Sequence, residues 1–331
     1  MNQINKVLIT GIGGFVGSHL ADFILKEFPQ IQILGLSRWW EPRENINHIL
    51  DKIKLCYGDL TDLPSIETIL SKEKPEVIFH LAAQSYVDFS FLAPITTLET
   101  NIVGTANLLE AVKKLKISSD YDPIIQIASS SECYGQVKEN EVPIKETNPF
   151  RPASPYAVSK VGEDMLAFQY WLSWKIKTIR TRMFSHTGAR RGYCFAESNF
   201  AKQIAAIEAG LQEPVVKVGN LESVRTYLDI KDALRAYWLL VTKCPAGEVY
   251  NVGGVETMTV GEMLNKLLKL STAKNISIEV DPARLRPSDV TLQIPCIDKF
   301  VAATGWKPEI KFEKTLEDLL NYWREKIKNN Q

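Results

Sequence analysis

Lys6-Val7-Leu8-Ile9-Thr10-Gly11-Ile12-Gly13-Gly14-Phe15-Val16-Gly17 decides the fold. The apolar, β-branched run 6–10 reads as a strand, and a helical pattern begins at Phe15. Gly11, Gly14 and Gly17 stand between them at G-x-x-G-x-x-G spacing. Gly11 permits a tight turn, Gly14 lets a pyrophosphate approach the backbone, and Gly17 allows close helix–strand packing. The helix start, with Phe15 at its head, offers free N–H groups and a positive dipole end to phosphates. Three glycines alone are compatible with a purely structural turn. Between a strand and a helix they specify a dinucleotide site.

Outward from this stretch, short apolar runs alternate with helical periodicity. Strands are expected at 6–10, 31–36, 53–57, 77–81, 124–128 and 178–184, with helices at 15–28, 97–116 and 156–174. That alternation predicts an α/β fold, a Rossmann doubly wound parallel sheet with a smaller, interleaved C-terminal α/β domain. The dinucleotide domain is expected over 1–184, and the helix 230–241 and strand 249–252 suggest that 225–252 returns to it. Residues 185–224 and 253–331 are left for the substrate domain.

The second strand ends in Gly35-Leu36-Ser37-Arg38. NAD sites usually carry an acidic residue there for the adenosine ribose, whereas a guanidinium pairs with a 2′-phosphate. Arg38 therefore favours NADP over NAD; the alternative is a surface arginine packed by Trp39 and Trp40. Asp59, followed by Leu60, stands where a carboxylate can accept from the adenine amino group. Leu81-Ala82-Ala83 follows the fourth strand and is expected beneath the middle of the cofactor.

Tyr156-Ala157-Val158-Ser159-Lys160 puts a phenol and an ammonium on one helical face. A tyrosine with a pKa of ~10 is a poor base at neutral pH, but a neighbouring Lys⁺ and an oxidised nicotinamide both favour the phenolate. The fifth strand ends in Ser129-Ser130-Ser131-Glu132, at the edge where doubly wound sheets bind ligands. Ser130 can bond a substrate hydroxyl beside Tyr156. Two readings of Glu132 stand: a second proton transfer, which simple alcohol oxidation does not need, or an ion pair or cap.

Composition narrows the field. The 39 Lys and Arg cancel the 39 Asp and Glu, so nothing argues for nucleic acid or a membrane surface. Cys56, Cys133, Cys194, Cys244 and Cys296 form no C-x-x-C pair and read as reduced structural thiols, with no metal expected. No apolar run approaches the roughly 18 residues of a membrane span, and no leader pattern opens the chain. A cytoplasmic protein is expected.

Together these residues resemble the extended short-chain dehydrogenase/reductase family. The likeness extends to His80-Leu81-Ala82-Ala83, Asn101-Ile102-Val103-Gly104-Thr105 and Pro155–Lys160. The C-terminal half is most similar to enzymes acting on GDP-mannose and its 4-keto-6-deoxy product, through the stretches 184–192, 218–225, 285–290 and 304–308. The resemblance implies a GDP-sugar substrate, with Arg225 and Arg286 on its diphosphate and Ser185 and Asn220 among its contacts; a structural salt bridge is the other reading of the arginines. The pair Arg190–Arg191 resembles a loop that, in the dehydratases, reaches a neighbouring subunit, implying a homodimer or homotetramer. It leans toward a 4,6-dehydratase with an internal NADP redox cycle. Two departures stand beside it: Ser130 where the dehydratases usually carry Thr, and Ser185 where the family usually carries Asn. Features of 200–204, 218–225 and 237–240 are closer to the 4-keto-6-deoxymannose reductases. Another GDP-hexose or GDP-heptose stays open as substrate.

Overall fold

The computed structural model describes residues 4–329. Its elements in chain order are β1 (Lys6–Thr10), α1 (Phe15–Glu27), β2 (Gln32–Ser37), β3 (Lys54–Tyr57), α2 (Leu63–Glu73), β4 (Val77–His80), α3 (Val87–Leu92), α4 (Pro94–Leu98), α5 (Gly104–Ser119), β5 (Ile124–Ser130) and α6 (Pro155–Trp174). There follow β6 (Lys177–Met183), β7 (His186–Thr187), α7 (Ala196–Glu208), β8 (Val215–Val218), β9 (Val224–Thr226), β10 (Leu228–Asp229), α8 (Ile230–Lys243) and β11 (Val249–Val252). The chain closes with β12 (Thr257–Thr259), α9 (Val260–Lys269), β13 (Ser277–Val280), β14 (Leu292–Gln293), α10 (Asp298–Thr304) and α11 (Phe312–Asn329).

Seven strands form one parallel sheet in the order β11-β6-β5-β4-β1-β2-β3. The strand order reverses between β1 and β4, which opens a crevice at their carboxyl ends. Apolar residues on both faces explain why these strands read as near-continuous hydrophobic runs. One buried cluster joins β1, α1 and α8; another, on the opposite face, joins Leu8, Leu34 and Ile78 to Leu108 and Val112 of α5. Each fully buried aliphatic contributes about 1.5–3 kcal/mol relative to exposure.

A separate core holds the C-terminal lobe, where Phe200 and Ile204 of α7 meet Met263 and Leu267 of α9 and Leu316 and Leu320 of α11. Its strands form three small sheets, β12-β9-β14, β13-β8 and β10-β7. Residues 224–226 sit in the first of these, so the return to the large sheet begins at α8 rather than at residue 225. The expected helix 97–116 is also divided. A π-helical turn over Glu99–Val103 separates α4 from α5.

Candidate active site

The glycine turn is built as its spacing requires. Gly11 has φ +68°, and a Cβ there would lie 2.9 Å from Ala82 Cα. Gly14 caps α1 and donates its N–H to Gly11 O at 3.0 Å. At Gly17 a Cβ would stand 2.2 Å from Gly11 O, so the helix rests directly on the turn. Behind it, Thr10 Oγ1 accepts from the N–H groups of Leu81 and Ala82, each at 3.0 Å. Thr10 also bonds His80 Nδ1, and His80 Nε2 meets Thr105 Oγ1 at 2.9 Å. Burial pushes the His80 pKa down to about 3, so the ring is neutral, and the chain fixes the segment from Leu81 to Ala83 beside Gly11. Thr10 and His80 hold this geometry although neither carries an obvious chemical signal in the sequence.

At the end of β2, Arg38 is half-exposed and its guanidinium lies over Trp40 at 5.4 Å. Its Nε also donates to Glu41 Oε1 at 2.8 Å, and Glu41 Oε2 lies 3.1 Å from Ser37 Oγ. An acid therefore does approach this strand end, delivered from the following loop. Asp59 Oδ1 accepts from the backbone and hydroxyl of Thr61, closing the turn into α2. Leu60 is buried beneath the start of α5, 3.0 Å from where a Gly104 Cβ would stand.

Helix α6 carries the acid–base pair. Ser154 caps it by accepting from Ala157 N, and Pro155 occupies its first turn. The helical repeat then sets Tyr156, Lys160 and Glu163 along the face turned to the sheet. Lys160 Nζ donates to Ala128 O at 3.0 Å and to Glu163 Oε2 at 2.9 Å. Burial pushes the Tyr156 phenol above its usual range, opposed by the Lys160 charge and a hydrogen bond with Ser130. Ser130 Oγ accepts from Glu132 N at 3.1 Å and so sets the short 3₁₀ turn that presents Glu132.

Glu132 is aimed from the other lobe. Gln293 of β14 donates to Glu132 Oε1 at 3.1 Å while its own carbonyl accepts from Ser131 Oγ at 2.7 Å. Burial raises the Glu132 pKa; the charges of Arg225 and Arg286 act against that, and Asp289 adds to it. The two arginines converge on Asp289 Oδ1, each at 3.8 Å, and Arg286 also pairs with Asp88 at 2.6 Å. Ser130, Glu132, Tyr156, Lys160, Arg225 and Arg286 thus cluster where β5 and α6 meet the C-terminal lobe. Gln293, Asp289 and Asp88 complete the cluster; Asp289 lies in the stretch 285–290 that carries the resemblance, while nothing local in the sequence marks Gln293 or Asp88.

The other residues expected to meet the substrate are Ser185, Asn220 and Arg190. Ser185 is half-buried just beyond β6, its carbonyl accepting from Leu228 N. Asn220 accepts from Glu222 N and donates to Ser223 in its own loop, and it also donates to Asp289, the carboxylate that Arg225 and Arg286 approach. Arg190 turns onto its own chain, pairing with Asp22 of α1 at 2.7 Å. Its neighbour Arg191 lies over the Phe195 ring at 3.4 Å.

A sequence profile described as GDP-mannose 4,6 dehydratase matches residues 8–319. The chain belongs to this family. Two relatives mark the range within it. A GDP-6-deoxy-D-mannose reductase of Pseudomonas aeruginosa is 31% identical over 323 residues, covering 98% of each chain. The human GDP-mannose 4,6 dehydratase is 30% identical over 357 aligned positions, covering 98% of this chain and 93% of its own. Among solved structures, RMD from Pseudomonas aeruginosa complexed with NADPH superposes with a TM-score of 0.83 at 30% identity, covering 97% of this chain and 99% of that one. Membership agrees with the expected extended short-chain dehydrogenase/reductase fold, and the seven-stranded sheet and Tyr156–Lys160 helix are this family member's own version of it.

Proposed function

We propose that this chain is an NADP-dependent GDP-mannose 4,6-dehydratase, a lyase of nucleotide-sugar metabolism. The observation that carries this reading is Glu132, a carboxylate of raised pKa held by Gln293 in the cluster with Ser130, Tyr156 and Lys160. The left-handed turn at Gly11 and the open N-terminus of α1 suit a pyrophosphate, with Phe15, Leu81 and Ala83 around it and Arg38 at the 2′-phosphate end. Bound NADP would supply a hydride acceptor for the sugar C4 and return that hydride at C6. Tyr156, bonded to Ser130, takes the O4 proton. The C4 ketone acidifies C5–H; Glu132 removes that proton and hands it to the C6 hydroxyl, which leaves as water, and once C6 has been reduced Tyr156 returns its proton to C5. Arg225 and Arg286 are poised to exchange their loose Asp289 contacts for a diphosphate, which a guanidinium binds in bidentate fashion.

The decisive assay mixes purified protein with GDP-mannose, without added reductant, and follows sugar mass and NADPH absorbance. Loss of one water with no net change in NADPH is expected. Survival of GDP-mannose, with a 4-keto-6-deoxy sugar consumed as NADPH disappears, would establish instead the second reading, a GDP-4-keto-6-deoxymannose reductase. That reading is supported by the relative at 31% identity, a GDP-6-deoxy-D-mannose reductase whose alignment covers 98% of both chains. Glu132→Gln separates them further. A dehydratase should lose dehydration by roughly 10²–10⁴-fold, the usual worth of a positioned acid–base group, yet still oxidise C4.

We also infer a homo-oligomer. Leu92 and Ile95 on α3 and α4, with Val158, Met165 and Leu172 along α6, form an exposed apolar stripe of the kind that marks an interface between subunits. Light scattering should give a mass at least twice that of the chain, and Leu172→Glu should halve it. No described helix is long and apolar enough to cross a membrane, and the reading keeps the enzyme cytoplasmic.

A further inference from the structure

Glu163 lies one turn beyond Lys160 on α6, and its side chain is 1% exposed. Its Oε2 accepts from Lys160 Nζ at 2.9 Å, while Oε1 has no hydrogen-bond partner among the described residues. A carboxylate so deeply buried with one oxygen unsatisfied is costly, and nothing in the proton transfers proposed above uses it. The same ammonium stands 5.8 Å from the centre of the Tyr156 ring.

We propose that Glu163 is a positioning residue that sets the acidity of Tyr156 by cancelling the charge of Lys160, so that the phenol rather than the phenolate is the resting state. The inference rests on the reading that Tyr156 exchanges a proton with substrate. A bare ammonium at this range lowers a neighbouring acid by about 1–3 pKa units. In contact with a carboxylate it becomes one end of a dipole, and most of that leverage on the phenol is lost. The electrostatics run in this direction: after burial and the opposing Lys160 charge, Glu163 is the next influence on Tyr156, and it raises the phenol.

The other charges around the pair do not replace it. On α6, Asp164 is itself bound to Arg180 and Arg182 of β6. Beyond β5, Glu132 reinforces the rise at Tyr156, and the Cys133 thiol is pushed up to about 12 by burial and stays neutral. From β4, His80 is neutral, and from α8 the buried Tyr237 phenol is raised as well. Glu163 itself is pushed up to about 7 by burial against the pull of Lys160, so its negative charge is complete only on the alkaline side of neutrality. Glu163 therefore makes the tyrosine wait for a further positive charge beside it before it ionises.

The test is Glu163→Gln, which keeps the shape and an acceptor for Lys160 but removes the charge. Tyrosine labelled with ¹³C at Cζ reports each phenol by NMR, and the Tyr156 signal is assigned by its loss in Tyr156→Phe. Between pH 7.5 and the alkaline unfolding limit, the Tyr156 midpoint should fall by about one unit, a tenfold gain in acidity. Glu163→Asp should recover at least half of that shift. The pH profile for alcohol oxidation with saturating NADP should move down by the same amount, with KM for the sugar unchanged. An unmoved Tyr156 midpoint in folded Glu163→Gln, or no Tyr156 titration in either protein, overturns the proposal. The NMR measurement involves no substrate, so a wrong sugar assignment would leave it intact.

Discussion

Gly17 shows how a single hydrogen atom secures the cofactor turn. A methyl at this position would lie 2.2 Å from Gly11 O and 3.0 Å from Ile12 Cα, both backbone atoms that no rotamer change can move. Gly17→Ala should therefore shift α1 off the turn, costing roughly 1–3 kcal/mol of stability, as overpacking does, and weakening NADPH binding at least tenfold. Thermal unfolding and quenching of tryptophan fluorescence by NADPH measure the two effects. Gly14→Ala is the control: its nearest contact would be 3.2 Å, and the loss should be smaller. These glycines, like Tyr156 and Lys160, were legible in the sequence because their meaning is local, a turn or one helical repeat. Gln293 was not. It reaches Glu132 across 161 positions, and its value comes only from the fold that joins β14 to the end of β5.

Helix α6 must be held against the sheet firmly enough to keep a phenol in register, and Asp164 is the anchor. Its carboxylate, fully buried, binds Arg180 at 3.1 Å and Arg182 twice at 3.0 Å, and Arg182 passes the network on to Tyr134. Asp164→Ala strands two buried guanidinium groups and should cost about 3–5 kcal/mol in denaturant unfolding. Activity of the remaining folded fraction should fall too, because Tyr156 and Lys160 sit on the same helix. A cost below 1 kcal/mol would mean that water enters and solvates the arginines. On the other flank, Asn101 in the π-helical turn donates to Ser159 at 2.8 Å and to Gln84 O, and accepts from Gln84 N. This is why the periodicity over 97–116 suggested one helix where the structure has a break. A side chain that satisfies backbone groups outside its own helix leaves no trace in an apolar repeat.

Across the whole molecule, His80 ties three elements together, bonding Thr10 of β1 and Thr105 of α5 from the end of β4. That makes its neutrality a condition of the fold. Its folded pKa, about 3, lies below the ordinary value of 6.5 because the ring is buried beside the charge of Lys160. A base with a depressed folded pKa contributes stability in full above the unfolded value, and loses it as pH falls from 6.5 toward 3. In that window the unfolded chain takes up a proton that the folded chain refuses. His80→Gln removes the titration while keeping a hydrogen-bonding side chain, so it should be less stable than the parent at pH 7.5. Its deficit should then shrink by about 2 kcal/mol by pH 5, at 1.36 kcal/mol per unit of difference in pKa. Comparing the two proteins cancels the other acid-sensitive groups, including His19 and His186, which burial also pushes down to about 4. The measurement is urea unfolding of both proteins at half-unit steps from pH 7.5 to 5. A gap that stays constant across those steps would show that the ring accepts a proton without opening β1, β4 and α5, and the link from Thr10 through His80 to Thr105 would then be too compliant to hold the cofactor turn in place.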